Sequence, residues 1–485
     1  HFANIGVEVL LLDIMYEGED NNRNKIVNES LKNTLIAKPS PIYSKSFSNR
    51  ITIGNLSDDI SKIKTVDWII EVIIENLDIK KKLFSDIEKH RSPGTIISSN
   101  TSGIPINTMI EGRTDDFCQY FCGTHFFNPP RYLKLLEIIP SKKTNPELIS
   151  FLMGYGEKFL GKTTVLCKDT PAFIANRIGI AGIAALFKLS QDLKLSIEEI
   201  DSLTGPIIGR PKSATFRTSD LVGLDTLNSV AKGVYDNCPH DEQRAIFDLP
   251  PFIKKMLENK WLGDKTKQGF YKKDRDDKGN RKILSLNLNT LEYQAKRKTK
   301  FETIQKAKKI NNLKKRLPEL IKGKDKAAIF YKKMFAFMFA YVAHRIPEVS
   351  DEIYKIDAAM CAGFGWKLGP FEMWDAIGIK QGIELIEEEK LAKPDWIHNL
   401  NIIDAFYTIK EGEKAYYDIK KTKPKTIPIL NKFIILDNLR PKSVIWKNNG
   451  VSVFDIGDDI LNIEFHTKLN SIGQDVIEGL YKGIE

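Results

Sequence analysis

Over residues 1–168 short apolar runs alternate with longer stretches of helical spacing, and that alternation admits few folds. VEVLLLD (7–13) reads as a buried strand closing on a carboxylate. DWIIEVI (67–73), TIISSN (95–100), LKLLEIIP (133–140) and TTVLCKD (163–169) read as further strands, and YFCGTHFFN (120–128) as a strand running into a loop. Between them, residues from about 21 to 37, ENLDIKKKLFSDIEKH (75–90) and a stretch near 146–160 carry helical spacing. HFANIG, ahead of the first strand, has the form of a last helical turn with Gly6 as its C-cap. The pattern predicts an α/β fold built on a doubly wound sheet.

From Thr170 the character changes. TPAFIANRIGIAGIAALFKLSQDL is long enough for a core helix, and more helices follow to about Tyr271, so 169–273 reads as an all-α domain. A weak internal repeat then appears. IDSLTGPIIGRPKSATFRTSDLVGLDTL (200–227) is echoed by IDAAMCAGFGWKLGPFEMWDAIGIKQGI (356–383), and IANRIG (174–179) by VAHRIP (342–347). Residues 327–395 are therefore read as a second, shorter copy of the helical domain. Residues 396–440 read as hairpins and linker, with a turn at Glu411–Lys414, and 441–485 as two alternating strands leading to a helix. Domains of roughly 150 residues each fit a length of 485.

Hydrophobic content of 42% and charged content of 28% are those of a globular protein. No apolar run approaches the ~20 residues of a membrane helix. MFAFMFAYVA (334–343) comes nearest and reads as a buried helix. Much of the +10 net charge lies between Lys296 and Lys326. Such a stretch could grip nucleic acid or a phosphorylated ligand. The reading adopted is a solvated basic linker, 274–326, with a short amphipathic helix and no nucleic-acid partner. The five cysteines, at 118, 122, 167, 238 and 361, repeat no metal-ligand spacing, and no metal is expected. Cys118 and Cys122 flank an aromatic pair and are expected to be buried and reduced, as in a cytosolic protein.

Four places carry chemistry. Asp13 ends a strand, where an acid can bind the adenosine ribose of a dinucleotide and repel a 2′-phosphate; a helix N-cap or a plain surface acid is the alternative. In GTHFFNPPRYLKLLEIIP, His125 stands at a strand end and Glu137 lies twelve residues on, inside LLEII. A charge in so apolar a strand is expensive unless paired. A turn and a returning strand would bring the two together, and a carboxylate beside imidazole raises its basicity. Such a pair suits removal of an alcohol proton while hydride leaves the same carbon. SSNTSG (98–103) either lines the ligand crevice at a strand's carboxyl end or forms a turn and N-cap cluster. Asn176, within an apolar helix, makes either a buried structural hydrogen bond or a substrate contact.

Together these segments resemble the L-3-hydroxyacyl-CoA dehydrogenase family. The resemblance rests on ENLDIKKKLF, SNTSG, GTHFFNPP, KLLEIIP, KDTPAFIANR and LGDKTKQGFY, in the family's order, over about 1–273, with the second copy at 327–395. It implies a Rossmann-type domain followed by two all-α domains, an acyl-CoA substrate, NAD as cofactor, and oxidation of a 3-hydroxyacyl-CoA in fatty-acid β-oxidation. It also implies residue roles. His125 would take the 3-hydroxyl proton, Glu137 would hold it, and Ser102 and Asn176 would bind the substrate oxygen. Asp13, Glu75, Lys80, Ser102, Asn128 and Lys265 fall on cofactor-site positions, and Ser30 on a CoA-contacting one. Gly103 replaces a common second serine. His344 stands in the second copy where Asn176 stands in the first, with no base–carboxylate pair beside it, so that copy reads as structural. The tandem helical region is similar to that of multifunctional fatty-acid oxidation enzymes, and LNIEFHTKLNSIGQDVIEGL to the opening of the crotonase (enoyl-CoA hydratase) fold.

No G-x-G-x-x-G loop stands in the right place. The fold puts it about 20 residues before the ribose acid, hence before His1. A first strand, the glycine loop and half a helix are expected upstream, and most of a hydratase domain downstream. Cytoplasmic location, no membrane span and a possible homo-oligomer complete the expectations. Another 3-hydroxyacid dehydrogenase and a non-catalytic CoA- or nucleotide-binding scaffold are the competing readings.

Overall fold

The computed structural model describes residues 1–18, 22–275, 279–297, 299–410, 412–428 and 434–485. It comprises two compact units, His1–Ile402 and Ile403–Glu485, taken separately below.

The first unit opens with a 3₁₀ turn, Phe2–Ile5, closed by Gly6 at φ 99°, the left-handed conformation that a glycine accepts without strain. β1 (Val9–Asp13) and α1 (Lys25–Ile36) follow. β2 (Ile51–Asn55) then pairs parallel with β1, Asp13 opposite Asn55, as a sheet of two strands. The sequence reading did not foresee β2: ITIGN is short and ends in glycine and asparagine.

The larger sheet has five strands. Its elements are β3 (Trp68–Glu71), α2 (Leu77–His90), β4 (Ile96–Ser99), the short helices α3 (Ile106–Met109) and α4 (Asp115–Gln119), β5 (Phe121–Phe126), β6 (Leu135–Pro140), α5 (Pro146–Lys158) and β7 (Thr163–Leu166). Strand order is β3-β4-β5-β6-β7. All neighbours are parallel except β5 and β6, which are antiparallel. α2 starts where the Asn76 side chain accepts the N–H groups of Asp78 and Ile79, and its last turn carries Lys89, a cation suited to its negative end. Leu136, Ile138 and Cys122 of the sheet bury against Leu148 and Leu152 of α5.

The first helical copy holds α6 (Ala175–Asp192), α7 (Ile197–Thr204), α8 (Phe216–Val222), α9 (Leu224–Asn237) and α10 (Pro251–Glu258). The described residues of the expected linker 274–326 include regular elements. β8 (Tyr271–Arg275), β9 (Arg281–Leu286) and β10 (Tyr293–Ala295) make an antiparallel sheet, and α11 (Glu302–Ala307) and α12 (Leu313–Leu320) follow. Most of its described lysines and arginines are exposed while Ser285, Leu286, Leu317 and Leu320 are buried, so charge masked the apolar pattern. The second copy is α13 (Lys326–Glu348), α14 (Ile353–Phe364), α15 (Pro370–Ile377) and α16 (Ile379–Glu388). MFAFMFAYVA lies in α13, and most of it is buried.

The repeat is visible atom by atom. Asp201 of α7 accepts the N–H groups of Thr215, Phe216 and Arg217 at the start of α8. Asp357 of α14 accepts those of Phe371 and Glu372 at the start of α15. Gly223 (φ 96°, ψ 130°) joins α8 to α9, and Gly378 (φ 104°, ψ 134°) joins α15 to α16.

The second unit contains an antiparallel sheet of β11 (Tyr407–Lys410), β12 (Glu413–Asp418) and β13 (Lys423–Thr426). Of the expected turn, Glu411 lies outside the described residues. α17 (Leu436–Ser443), β14 (Val444–Lys447), β15 (Val451–Asp455), β16 (Leu461–Phe465) and α18 (Gln474–Ile484) complete it, with Val451, Val453 and Val476 as core.

Candidate active site

The antiparallel turn from β5 to β6 sets His125 directly opposite Glu137. Nδ1 of His125 lies 2.7 Å from Oε2 of Glu137, and both residues are buried. In the tautomer whose Nδ1–H donates to that carboxylate, Nε2 is the ring nitrogen able to accept a proton. That nitrogen is 3.2 Å from Oγ of Ser102, in the loop after β4. Oε1 of Glu137 accepts the N–H of Ile174 at 3.2 Å and of Ala175 at 2.9 Å, at the start of α6. A carboxylate thus survives inside LLEII because a helix N-terminus and an imidazole share it. The rings of Phe127 and Phe173, centred 4.7 and 5.5 Å from that of His125, shield the pair. The Cys167 thiol is raised well above its ordinary range, by burial first and by the Glu137 charge second.

The loop carrying Ser102 is itself held. Oε1 of Glu75 accepts the Thr101 hydroxyl at 2.6 Å and the Ser102 N–H at 3.0 Å. Lys80, buried on α2, pairs with Glu71 at 2.7 Å and Glu75 at 3.4 Å. The Ser99 hydroxyl donates to the other oxygen of Glu71 at 2.5 Å. Asn100 accepts the N–H of Phe126, tying the loop to β5. The sequence reading passed over Glu71, and took Ser99, Asn100 and Thr101 only as members of the SSNTSG cluster. Glu71 offered the signal that revealed Glu137, a charge inside an apolar strand.

Asn176 is half-buried in the first turn of α6, next to the Ala175 N–H that Glu137 accepts. Asp13, Ser30, Asn128 and Lys265 share no side-chain hydrogen bond or ion pair with Ser102, His125, Glu137 or Asn176. Asp13 takes the N–H of Ile14, Ser30 is exposed on α1, Asn128 lies in the loop after β5, and Lys265 pairs with Asp225 at 2.5 Å. In the second copy, His344 does have a carboxylate nearby, contrary to expectation: Nδ1 lies 3.9 Å from Glu242, which comes from the first copy and so was not adjacent in sequence.

An α/β domain that sets a serine and a histidine at the carboxyl ends of its strands, the histidine paired with a carboxylate on the neighbouring strand, and that is followed by helical domains, has the architecture of a Rossmann-type dehydrogenase. Residues 1–170 match the 3-hydroxyacyl-CoA dehydrogenase NAD-binding domain, and residues 173–273 and 330–411 both match that family's C-terminal domain. The chain belongs to the 3-hydroxyacyl-CoA dehydrogenase family. A probable 3-hydroxyacyl-CoA dehydrogenase of Bacillus subtilis is 44% identical across 100% of this chain, which spans 62% of that relative. Another, of Deinococcus radiodurans, is 45% identical over 57% of this chain and 79% of its own length. Among solved structures, 3-hydroxybutyryl-CoA dehydrogenase from Escherichia coli shares the fold, with TM-score 0.59 and 17% identity over 83% of this chain and 94% of that one. No helix among the described residues is long and apolar enough to cross a membrane.

Proposed function

We propose that this chain carries an NAD-dependent dehydrogenase that interconverts L-3-hydroxyacyl-CoA and 3-oxoacyl-CoA, acting in fatty-acid β-oxidation. The observation that carries the proposal is the buried chain Ser102–His125–Glu137, anchored on the start of α6. His125 Nε2 is the atom that accepts the substrate's hydroxyl proton as the C3–O bond becomes a carbonyl. Glu137 holds the Nδ1 proton and stabilises the imidazolium that results. Ser102, and Asn176 from the facing helix, orient the reacting oxygen.

The donor set fits NAD. Asp13 ends β1 with one carboxylate oxygen engaged by Ile14, which leaves the other to accept ribose hydroxyls and to repel a 2′-phosphate. Bound NAD supplies the hydride acceptor. Glu75, Asn128 and Lys265 are assigned to its contacts and Ser30 to those of CoA. Lys80 is buried, so its part is to fix Glu75 and the Ser102 loop. Residues 441–485 are read as the opening of a crotonase-type domain, which would make the whole protein bifunctional.

The test is acetoacetyl-CoA-dependent oxidation of NADH by the full-length protein, with free acetoacetate as control. Rapid turnover with the thioester alone supports the assignment; turnover with the free acid would favour another 3-hydroxyacid dehydrogenase. His125→Ala should lower kcat by roughly 10²–10⁴-fold with NADH still bound. Undiminished turnover in that variant would overturn the mechanism, and NADH binding without turnover in the unaltered protein would favour a scaffold.

A further inference from the structure

The second helical copy, read from the sequence as structural, ends its helix α14 against the surroundings of the His125–Glu137 pair. Phe127, whose ring stands edge-on to that of His125 at 4.7 Å and 62°, lies one residue past β5, beyond the ladder with β6. The last two residues of α14 meet it there. The ring of Phe364 is centred 6.4 Å from that of Phe127, again edge-on, at 61°. A Cβ at Gly363 would come 2.7 Å from Leu135 Cδ2, 3.4 Å from Phe127 Cε1 and 3.5 Å from Ala175 Cβ, so the missing side chain is what lets the helix approach. A Cβ at Gly179, on α6, would come 2.0 Å from Phe364 Cζ, so that ring lies on the α6 backbone. Leu135 stands two residues before Glu137 on β6, and Ala175 gives Glu137 its N–H. The end of α14 therefore bears on neighbours of both partners.

The first copy offers a comparison. Aligning the two repeat stretches sets Gly363 and Phe364 against Ile207 and Ile208, and Gly365 (φ 66°) against Gly209 (φ 76°), left-handed in both. Ile207 and Ile208 are buried core residues, whereas Phe364 is half-buried. The copies thus differ where α14 meets the site: an aliphatic core pair in one, a close backbone approach and an aromatic ring in the other.

We infer that Phe364 is a positioning residue for His125, acting through Phe127. The hydrogen bond from Nδ1 to Glu137 fixes one edge of the imidazole and leaves the ring able to pivot about it. The rings of Phe127 and Phe173 oppose that pivot. Phe173 is fully buried and Phe127 only half-buried, so Phe127 is the ring that needs support, and Phe364 supplies it with the edge-to-face packing that aromatic rings favour. Nε2 is thereby kept at 3.2 Å from Ser102 Oγ, where the reacting oxygen is to be met. The catalytic consequence rests on the dehydrogenase reading; the placement of the ring does not.

Phe364→Ala and Phe127→Ala, singly and together in the full-length protein, test it by acetoacetyl-CoA-dependent oxidation of NADH. Phe364→Ala should lower kcat and kcat/KM together, by about 10–10²-fold. In the Phe127→Ala background the same change should lower kcat by less than about twofold, because the ring it supports is gone. Should Phe364→Ala fail to fold, Phe364→Leu keeps an apolar side chain in place and should show the same dependence on Phe127 with a smaller loss. A nuclear magnetic resonance spectrum of histidine-labelled protein gives a readout independent of turnover. The His125 ring signal, identified by its loss in His125→Ala, feels the ring current of Phe127 and should move in Phe364→Ala. An equal loss of kcat in both backgrounds, or an unmoved His125 signal, would overturn the proposal. Absence of turnover in the unaltered protein would instead sink the dehydrogenase reading, and the His125 signal would still decide whether Phe364 positions the ring.

Discussion

Glu137 uses one oxygen to hold the His125 imidazole, the proposed base, and the other to begin a helix, and its replacement should separate those tasks. In Glu137→Gln the amide oxygen can serve the N–H groups of Ile174 and Ala175 or the imidazole, and the charge that stabilises an imidazolium is gone. We expect kcat to fall by about 10²–10⁴-fold, comparable to losing general acid–base assistance, with only a small change in melting temperature. Glu137→Ala should also unfold at lower temperature, because two buried N–H groups lose their acceptor. Steady-state kinetics beside thermal denaturation of both variants checks this; equal kcat for Gln and Glu would remove the carboxylate from the mechanism. His125 and Glu137 were legible in the sequence because burying an unpaired charge is so costly that its partner can be sought nearby. Glu71 is buried for the same reason in WIIEV, but its partner Lys80 sits on the next helix, where a lysine reads as solvated. The Glu75 clamp on the Ser102 N–H was invisible, since no periodicity records which backbone group a surface-like acid will meet.

At the scale of elements, each helical copy starts one helix on an aspartate and turns on one glycine. Gly378 has φ 104° and ψ 134°, a region open to little but glycine, and a Cβ there would meet only Gln381 at 4.0 Å. Gly378→Ala should therefore cost backbone strain alone, about 1–3 kcal/mol in denaturant unfolding; an unchanged midpoint would show that the α15–α16 turn relaxes. Asp201 adds a pH dependence. Burial raises its pKa to about 6, against the hydrogen bonds of Tyr271, Phe216, Thr215 and Arg217, which lower it. A carboxyl whose folded pKa lies above its ordinary 3.8 holds its proton more tightly folded than unfolded. Its contribution to stability is full below that ordinary value and lost as pH rises through about 6. The stability of the protein relative to Asp201→Asn should accordingly decline between about pH 4 and pH 7; a rise over that interval would contradict the shift. Strands with several apolar residues in a row, such as those of the larger sheet, were readable. β2 and the 274–326 region were not, because five residues carry too little periodicity and a dense surface of lysine hides an alternating strand such as RKILSL.

For the helical core as a whole, the repeat is more than a trace of ancestry. IANRIG and VAHRIP supply Arg177 and Arg345, and both guanidiniums converge on Asp241, at 2.6 and 2.5 Å. Tyr341 donates to the same oxygen at 3.0 Å, and Glu348 lies 3.0 Å from each arginine. Burial works to raise the Asp241 pKa, but Arg345 and Arg177 outweigh it and hold the carboxyl below its usual range. Asp241 therefore sits at the centre of an ion-pair cluster that joins the two copies. Asp241→Asn keeps the shape and leaves two buried cations short of charge, so unfolding free energy should drop by about 3–5 kcal/mol, the usual cost of breaking a buried pair. The effect should reach the active site. Arg177 follows Asn176, and Ile174 and Ala175 hold Glu137, so a loosened α6 misplaces both the amide proposed to bind the substrate oxygen and the carboxylate clamp. A displacement near 1 Å can lower kcat by about 10²-fold. Glu348→Gln, at a half-exposed position, should cost less on both counts. Chemical denaturation and kinetics of the two variants check the coupling: stability lost with kcat intact would confine the cluster to folding, and neither changing in Asp241→Asn would mean that the two copies fold and work independently.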